Sequence, residues 1–201
     1  MSTNRTEDDP VSEPRINFRR SKELSWHSYS LEPAVPAHAP QIQRILERYF
    51  NADELNSSAL ELSSMFSDGM FSVRTTARSH GNNVVGFHAF LPLSDSGRDD
   101  VVAGTFDGTT ISADQLAPSF EGAVSLYWWM SAIKPSGNMA LPLLEIALNR
   151  APFAGKVLYV KPTTQAGHRA SIRAGFSPLD PERSSVGDFF KLEPKVWRQV
   201  S

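Results

Sequence analysis

The stretch GHRASIRAGFSPL, residues 167–179, holds the pattern from which the fold can be worked out. Its small and basic residues predict a short helix, and Gly175 is the kind of residue that ends a helix as its C-cap. Phe176 then opens a β-prone segment. The run GKVLYVKP at 155–162 lies directly upstream and predicts a strand. A strand, a helix and a further strand in this order indicate that part of the sheet is parallel.

The run SLYWWMSAI at 125–133 is the most β-prone part of the chain. It is apolar at its centre, which predicts a strand buried on both faces. Trp128 and Trp129 are adjacent, so their rings point to opposite faces of the sheet. One of them fills the core, and the other faces the opposite layer or a ligand channel. The segment that follows, at 134–152, predicts a turn and a helix with an apolar stripe of Leu143, Leu144, Ala147 and Leu148.

The N-terminal half predicts a strand, two helices and a hairpin. LSWHSYSL at 24–31 alternates apolar and polar residues, and the run at 32–50 has the spacing of an amphipathic helix. DELNSSALELSSMFS, at 53–67, predicts a second, weaker helix. FSVRTTARS and NVVGFHAFLPLS flank the turn sequence HGNN, which predicts an antiparallel hairpin. DFFKLEPKVW, at 188–197, predicts a last strand.

The polar stretch at 95–122 is interpreted as an insertion or an elongated loop. It suits either a short strand pair around Asp107 and Gly108 or a small helix at 112–116. The fold class is therefore α/β (α+β), a mixed and partly antiparallel central sheet with helices on both faces. One domain is expected over 23–201. Residues 1–22 are expected to form a disordered polar tail, because they hold too few apolar groups to offset chain entropy.

Composition narrows the function classes. The chain has 201 residues, a formal net charge of −2 and no cysteines. The near-neutral charge gives no reason to expect nucleic acid, and no apolar run is long enough for a membrane span. The lack of cysteine excludes a thiol nucleophile, and the scattered histidines give no zinc-site spacing. We expect a cytoplasmic protein without a metal, and leave an oligomer open.

Four segments carry a resemblance to a known family. They are YSLEPAVPAHAPQIQRIL, NNVVGFHAFLPL with its Val-Gly-Phe, SLYWWMSAIKP, and GHRASIRAGFSPL with its Gly-Phe. In order and spacing they are similar to the opening strand and helix, third strand, fourth strand and closing helix of the Gcn5-related N-acetyltransferases (GNAT). The resemblance covers residues 24 to 193. It implies the GNAT fold, acetyl-CoA or another acyl-CoA as co-substrate, and an amine acceptor that is either a small molecule or a protein.

The resemblance also implies where acyl-CoA binds. A backbone amide at 130–132 would hold the developing oxyanion, and a glycine-rich turn after the fourth strand would hold the pyrophosphate. That turn departs from the family pattern, because two ways of aligning it disagree by three residues and only Gly137 remains. Ser136 and Asn138 suit either anion binding or plain helix capping. The implied cofactor-binding residues are Met130, Ser131, Ala132, Ile133, Ser136, Gly137, Asn138, Met139, Ala140 and Thr164.

Two residues are candidates for catalysis. Ser171 stands where the family often has a tyrosine that protonates the leaving thiolate, so either Ser171 acts as a weaker donor or solvent replaces it. His88 is either a general base on a face bordering the substrate or an ordinary packed histidine of a strand.

Two functions are consistent with these residues. The first is an acyl-CoA-dependent N-acyltransferase that acts on an amine. The alternative is a catalytically inactive GNAT-fold binding or regulatory module, with the insertion at 95–122 as its partner surface. A gap between the strands SLYWWMSAI and KVLYVKP favours a cofactor site, whereas full pairing of the two would close it.

Overall fold

The computed structural model describes residues 29–49, 69–75, 83–133, 144, 147–149 and 152–194. These ranges contain the strands β1 (Tyr29–Pro33), β2 (Met70–Thr75), β3 (Val84–Leu93), β4 (Ser125–Ile133), β5 (Val157–Val160), β6 (Ser177–Pro178) and β7 (Phe190–Leu192). They also contain the helices α1 (Ala39–Tyr49), α2 (Asp95–Ala103) and α3 (Gln165–Arg173), with 3-10 turns at Pro36–His38 and Ala113–Gln115.

Within the described ranges the strands form one mixed sheet of seven, in the order β1-β2-β3-β4-β5-β7-β6. The strands β1 to β4 are antiparallel neighbours in chain order. The single parallel pair among these strands is β4 with β5, and β7 returns antiparallel beside β5. The predicted fold class, including the hairpin and the parallel segment, is confirmed.

Helices pack on both faces of the sheet. On one face, Ile42 and Leu46 of α1 pack with Phe87 of β3 and Met130 of β4. On the other face, Leu144 and Ala147 of the predicted apolar stripe join a larger core that contains the residues Phe71, Phe90, Trp128, Phe153, Phe176 and Phe190. The side chains of β3 and β4 face two packed layers, which explains why these strands are mostly apolar on both faces.

Local interactions explain where α1 and α3 begin and end. Pro36 and Pro40 are tolerated in the first turns of the 3-10 turn and of α1, where the amide has no partner to lose. Thr164 caps α3, its hydroxyl accepting from the Gly167 amide at 3.0 Å. The C-cap of α3 is Ala174, not Gly175 as expected. Gly175 follows with φ +87°, the left-handed conformation that turns the chain out of the helix.

The stretch at 95–122 differs from the expectation of a loop, because it begins with the helix α2. The Ser94 hydroxyl caps α2 by accepting from the Gly97 amide at 3.2 Å, and Gly104 ends it with φ +79°. Sequence periodicity missed this helix because Val101 is the one large apolar side chain that it buries. No strand pair forms at Asp107, but a 3-10 turn at Ala113–Gln115 lies where the small helix was suggested.

Several expectations fall outside the described residues. They are the tail at 1–22, the start of the first strand at 24–28, the helix at 53–67, most of the hairpin turn, and the proposed phosphate turn at 136–140. Among the helices that the structure describes, none has the length and apolar character needed to cross a membrane.

Replacing Gly86 of the Val-Gly-Phe motif by alanine should destabilise the protein by about 1–3 kcal/mol, the usual cost of an overpacked core. A Cβ atom at Gly86 would lie 2.6 Å from the carbonyl oxygen of Ala132 and 2.8 Å from the Cα of Ile133. Strands β3 and β4 would have to move apart there. Urea unfolding measures the loss. Gly122→Ala is the matched control, because its Cβ would find no atom closer than 3.6 Å. Equal stability of the two variants would contradict this account.

Candidate functional site

The site begins where β4 and β5 part. Residues 125–127 of β4 pair with residues 157–159 of β5, and there the pairing stops. Strand β4 continues to Ile133, and no described strand pairs with this last part on the side of β5. The separation coincides with a β-bulge, because Phe90 lies opposite Trp128 while its neighbour Ala89 lies opposite Met130. Trp129 is the extra residue, and such a bulge bends its strand.

A cleft of about 380 Å³ fills the separation. It lies at the carboxyl ends of a parallel strand pair, the usual place for a ligand in an open α/β sheet. Trp128 packs in the core beneath α3, whereas Trp129 packs against the clusters of the opposite face. Both line the cleft, so the cleft passes through the sheet from one face to the other.

The N-terminus of α3 forms one wall of the cleft. The first amides of a helix have no partner within it, and they carry the positive end of the helix dipole. The cap from Thr164 satisfies the amide of Gly167. The amides of Gln165 and Ala166 precede it in the first turn, where an acceptor atom of a ligand would be favoured.

Ser171 lies one turn further along α3 and is 2 % exposed. Its hydroxyl donates to the carbonyl of Gly167 at 3.0 Å, the back-bond common for serine inside a helix. A serine has one hydroxyl proton, so in this arrangement Ser171 offers the cleft an acceptor.

His88 lies in the core on the Trp128 side of the sheet and is 0 % exposed. Its ring is 5.7 Å from the Trp128 ring and 6.3 Å from that of Phe90. Neither ring nitrogen has a hydrogen-bond partner in the described structure. Burial lowers the pKa of His88 to about 3, which makes the ring neutral and a weak base. These features fit the packed histidine of a strand rather than a base facing substrate.

The stretch at 95–122 contacts β4 beside the cleft. The Trp129 indole donates to the carbonyl of Gly108 at 2.8 Å. A Cβ at Gly108 would lie 3.3 Å from the Tyr127 ring, so this loop rests directly on β4. The stretch therefore supports Trp129, a lining residue of the cleft, and holds it at the bulge.

Six of the residues named from the sequence line this cleft: Met130, Ser131, Ala132, Ile133, Thr164 and Ser171. His88 does not line it, and Ser136, Gly137, Asn138, Met139 and Ala140 lie outside the described residues. Sequence reasoning missed Tyr49, Lys161, Gly167 and Ala170. The signal for Lys161 was its place directly after a β-prone run. In the part of the chain that the structure describes, no three His, Asp or Glu residues group as metal ligands.

No protein-family model and no curated protein matches this sequence. Solved structures do. A mosquito arylalkylamine N-acetyltransferase like 5b matches with 12% identity and a TM-score of 0.53, over 82% of this chain and 97% of that one. An agmatine N-acetyltransferase matches with 14% identity and a TM-score of 0.53, over 82% of this chain and 99% of that one. A structure described as histone acetyltransferase HPA2 and related acetyltransferase, from Corynebacterium glutamicum, matches with 16% identity and a TM-score of 0.50. The match covers 86% of this chain and 99% of that one. At such identities the matches show a shared fold.

Proposed function

We propose that this chain, which has the GNAT fold, transfers an acyl group from acyl-CoA to an amine. The observation that carries the proposal is the parting of β4 from β5, which leaves an open cleft through the sheet. In a closed sheet the backbone groups of residues 128–133 on that side would be used in strand pairing. No described strand pairs with them here, so they can hydrogen-bond to a ligand.

The donor fits the cleft by its chemistry. An acyl-CoA ends in an extended arm with amide groups, and an extended chain with amides can hydrogen-bond to a strand edge. Ala132 and Ile133 supply that edge, and Ala170 leaves room beside it on α3. The first-turn amides of α3 add donors for an oxygen of the arm. The thioester would then lie near the bulge at Trp129, where the amide of Met130 is our candidate for stabilising the oxyanion.

The transfer needs one bond made and one broken. The neutral amine attacks the thioester carbonyl, a carbon–nitrogen bond forms, and the carbon–sulfur bond breaks. The amine gives up one proton and the leaving thiolate takes one, so the products are an amide and free CoA. Because the Ser171 hydroxyl donates to its own helix, we propose that solvent protonates the thiolate. The described lining of the cleft has no carboxylate and no histidine, so we propose that water takes the proton from the amine.

A binding module is the second candidate, and one observation favours it. The described lining of the cleft contains no carboxylate and no histidine, so it has no ordinary general base. A domain that binds acyl-CoA without turnover would have this lining too. Its partner surface would be the stretch at 95–122.

Acetyl-CoA should stabilise the protein against heat. A ligand at about 100 times its dissociation constant adds about 2.7 kcal/mol, which is several degrees for a chain of this size. Thermal unfolding with and without acetyl-CoA measures the binding, and release of free thiol with a panel of amines measures the transfer. Binding with transfer supports the acyltransferase. Binding without transfer to any amine favours the module. An unchanged melting temperature rejects the acyltransferase and leaves a module that binds its partner through the stretch at 95–122.

A further inference from the structure

Lys161 stands between two cavities. It follows β5 directly, and it lines both the cleft and a second cavity of about 210 Å³ on the Trp129 side of the sheet. Lys161 and Phe189 lie on the same face of the sheet, because side chains point to alternate faces along β5 and β7 and the residues next to them. A group bound by Lys161 therefore sits at the boundary between the proposed thioester site and the outer cavity.

The Lys161 ammonium is held in place but is not neutralised. It lies 4.9 Å from the centre of the Phe189 ring, a cation–π contact that fixes its position. No carboxylate of the described residues forms an ion pair with it. Asp107 is near enough to sense its charge, but Asp107 accepts three hydrogen bonds within its own turn, at 2.8–2.9 Å from Thr109 and Thr110.

Apart from Lys161 and Arg183, the charged groups that line the outer cavity are negative. Residues 101–104 at the C-terminal end of α2 line it, and such an end carries the negative part of the helix dipole. Asp180 and Asp188 line it as well, and Arg183 lies 3.7 Å from Asp180. An anion would be repelled by the helix end and the two carboxylates. The ammonium of Lys161, which no described carboxylate pairs with, is therefore the favoured place for a carboxylate.

We propose that the acceptor is an amine with a carboxylate next to its amino group, an α-amino acid, and that Lys161 binds this carboxylate. The inference rests on the proposed function. In an α-amino acid the nitrogen is two bonds from the carboxylate carbon. A carboxylate on Lys161 thus brings the nitrogen to the boundary of the cleft, where the thioester would lie, and directs the polar or cationic side chain into the outer cavity.

The carboxylate could instead come from the donor, as in succinyl-CoA. The geometry favours the acceptor, because Lys161 lines the outer cavity as well as the cleft, whereas the proposed donor site lies beside α3. Replacing Lys161 distinguishes the two sources. If the carboxylate belongs to the acceptor, the amino acid loses its preference over the amine; if it belongs to the donor, succinyl-CoA loses its preference over acetyl-CoA.

The test compares each amino acid with the amine that lacks its carboxylate: arginine with agmatine, tyrosine with tyramine, and histidine with histamine. We expect at least one amino acid to bind the wild-type chain about tenfold more tightly than its amine in calorimetric titration, and to have a higher kcat/KM with acetyl-CoA. Lys161→Gln should remove this preference, mainly by raising the KM for the amino acid. Lys161→Arg should restore it in part, because the cation is kept. Arg169→Gln removes an exposed cation of α3 outside the cleft, and should keep the preference.

The outcomes separate the inference from the proposed function. Equal binding of every amino acid and its amine, or a Lys161→Gln variant that keeps the preference, overturns the inference whether or not acetyl-CoA is used. A preference for succinyl-CoA over acetyl-CoA that Lys161→Gln abolishes also overturns it, because the carboxylate then belongs to the donor. Amino-acid binding that depends on Lys161, with no binding of acetyl-CoA, supports the amino-acid site and rejects the acyltransferase.

Discussion

An Ala170→Phe variant should bind acyl-CoA at least about 100-fold more weakly than the wild-type chain while it remains folded. Ala170 lies on α3 and lines the cleft between the separated strands. A phenyl ring there would occupy space that the arm of the donor needs, and the cleft of about 380 Å³ can take the ring without displacing the core. A loss of 100-fold corresponds to about 2.7 kcal/mol of binding free energy. Calorimetric titration with acetyl-CoA measures it directly.

Ile172→Phe is the matched control for this prediction. Ile172 belongs to the same helix but is 45% exposed and does not line the cleft. The control also adds an aromatic ring to α3, so it should leave acetyl-CoA binding and thermal stability within error of the wild type. If Ala170→Phe binds acetyl-CoA as tightly as Ile172→Phe does, the donor is bound elsewhere and the cleft has another use.

The folded protein should lose stability steadily as the pH falls below about 6.5, and His88 is the reason. The folded-state pKa of His88 is about 3, lowered by burial, against 6.5 for a free histidine. The unfolded chain takes up the proton first, so this stability is fully present above pH 6.5 and is lost as the pH falls toward 3. The loss from this one group reaches about 2 kcal/mol at pH 5. Urea unfolding across this range measures it.

His88→Phe should remove that part of the pH dependence and raise the stability at pH 7 by about 1 kcal/mol or more. The two ring nitrogens of His88 are buried without a partner among the described residues, and an unsatisfied buried polar group costs about 1–3 kcal/mol. A phenyl ring suits the aromatic surroundings of Phe90 and Trp128. His88→Leu serves as a second variant in case the larger ring strains the core. Unchanged pH dependence in both variants would show that another group controls acid stability, and loss of acyl transfer in both at full stability would restore His88 as a catalytic candidate.

The fold could be predicted from the sequence because the decisive segments carry clear periodicity. The apolar and polar residues of the hairpin, of the strand SLYWWMSAI and of the helix before Gly175 recur with the periods of strands and helices. A single packing of these elements buries the apolar residues of all three. The same strand and helix hold most of the cleft. Ser131, Thr164 and Ser171 are assigned to the site through the resemblance to the GNAT family, and all three line the cleft.

Other features depend on contacts between distant segments, which no local pattern contains. The helix α2 is polar over most of its surface, and it is held by its Ser94 cap and by packing of Gly97 against Gln115. The position of His88 in its strand suits a face that is open to solvent or substrate, but the aromatic side chains of the core bury it. Lys161 gains its position from the loop before β7, some thirty residues later, which places Phe189 beneath its ammonium.

The short joint between β4 and β5 has a consequence for the dynamics of the sheet. Eight residue positions of β3 are in register with β4, whereas only three positions of β4 are in register with β5. Amide hydrogens at this joint should therefore exchange with deuterium faster than those between β3 and β4, because a shorter ladder opens more often. A molecule that fills the separation would touch both strands at once. Its binding should be visible as slower exchange at Leu158 and Tyr159, even where no atom of either residue meets the ligand.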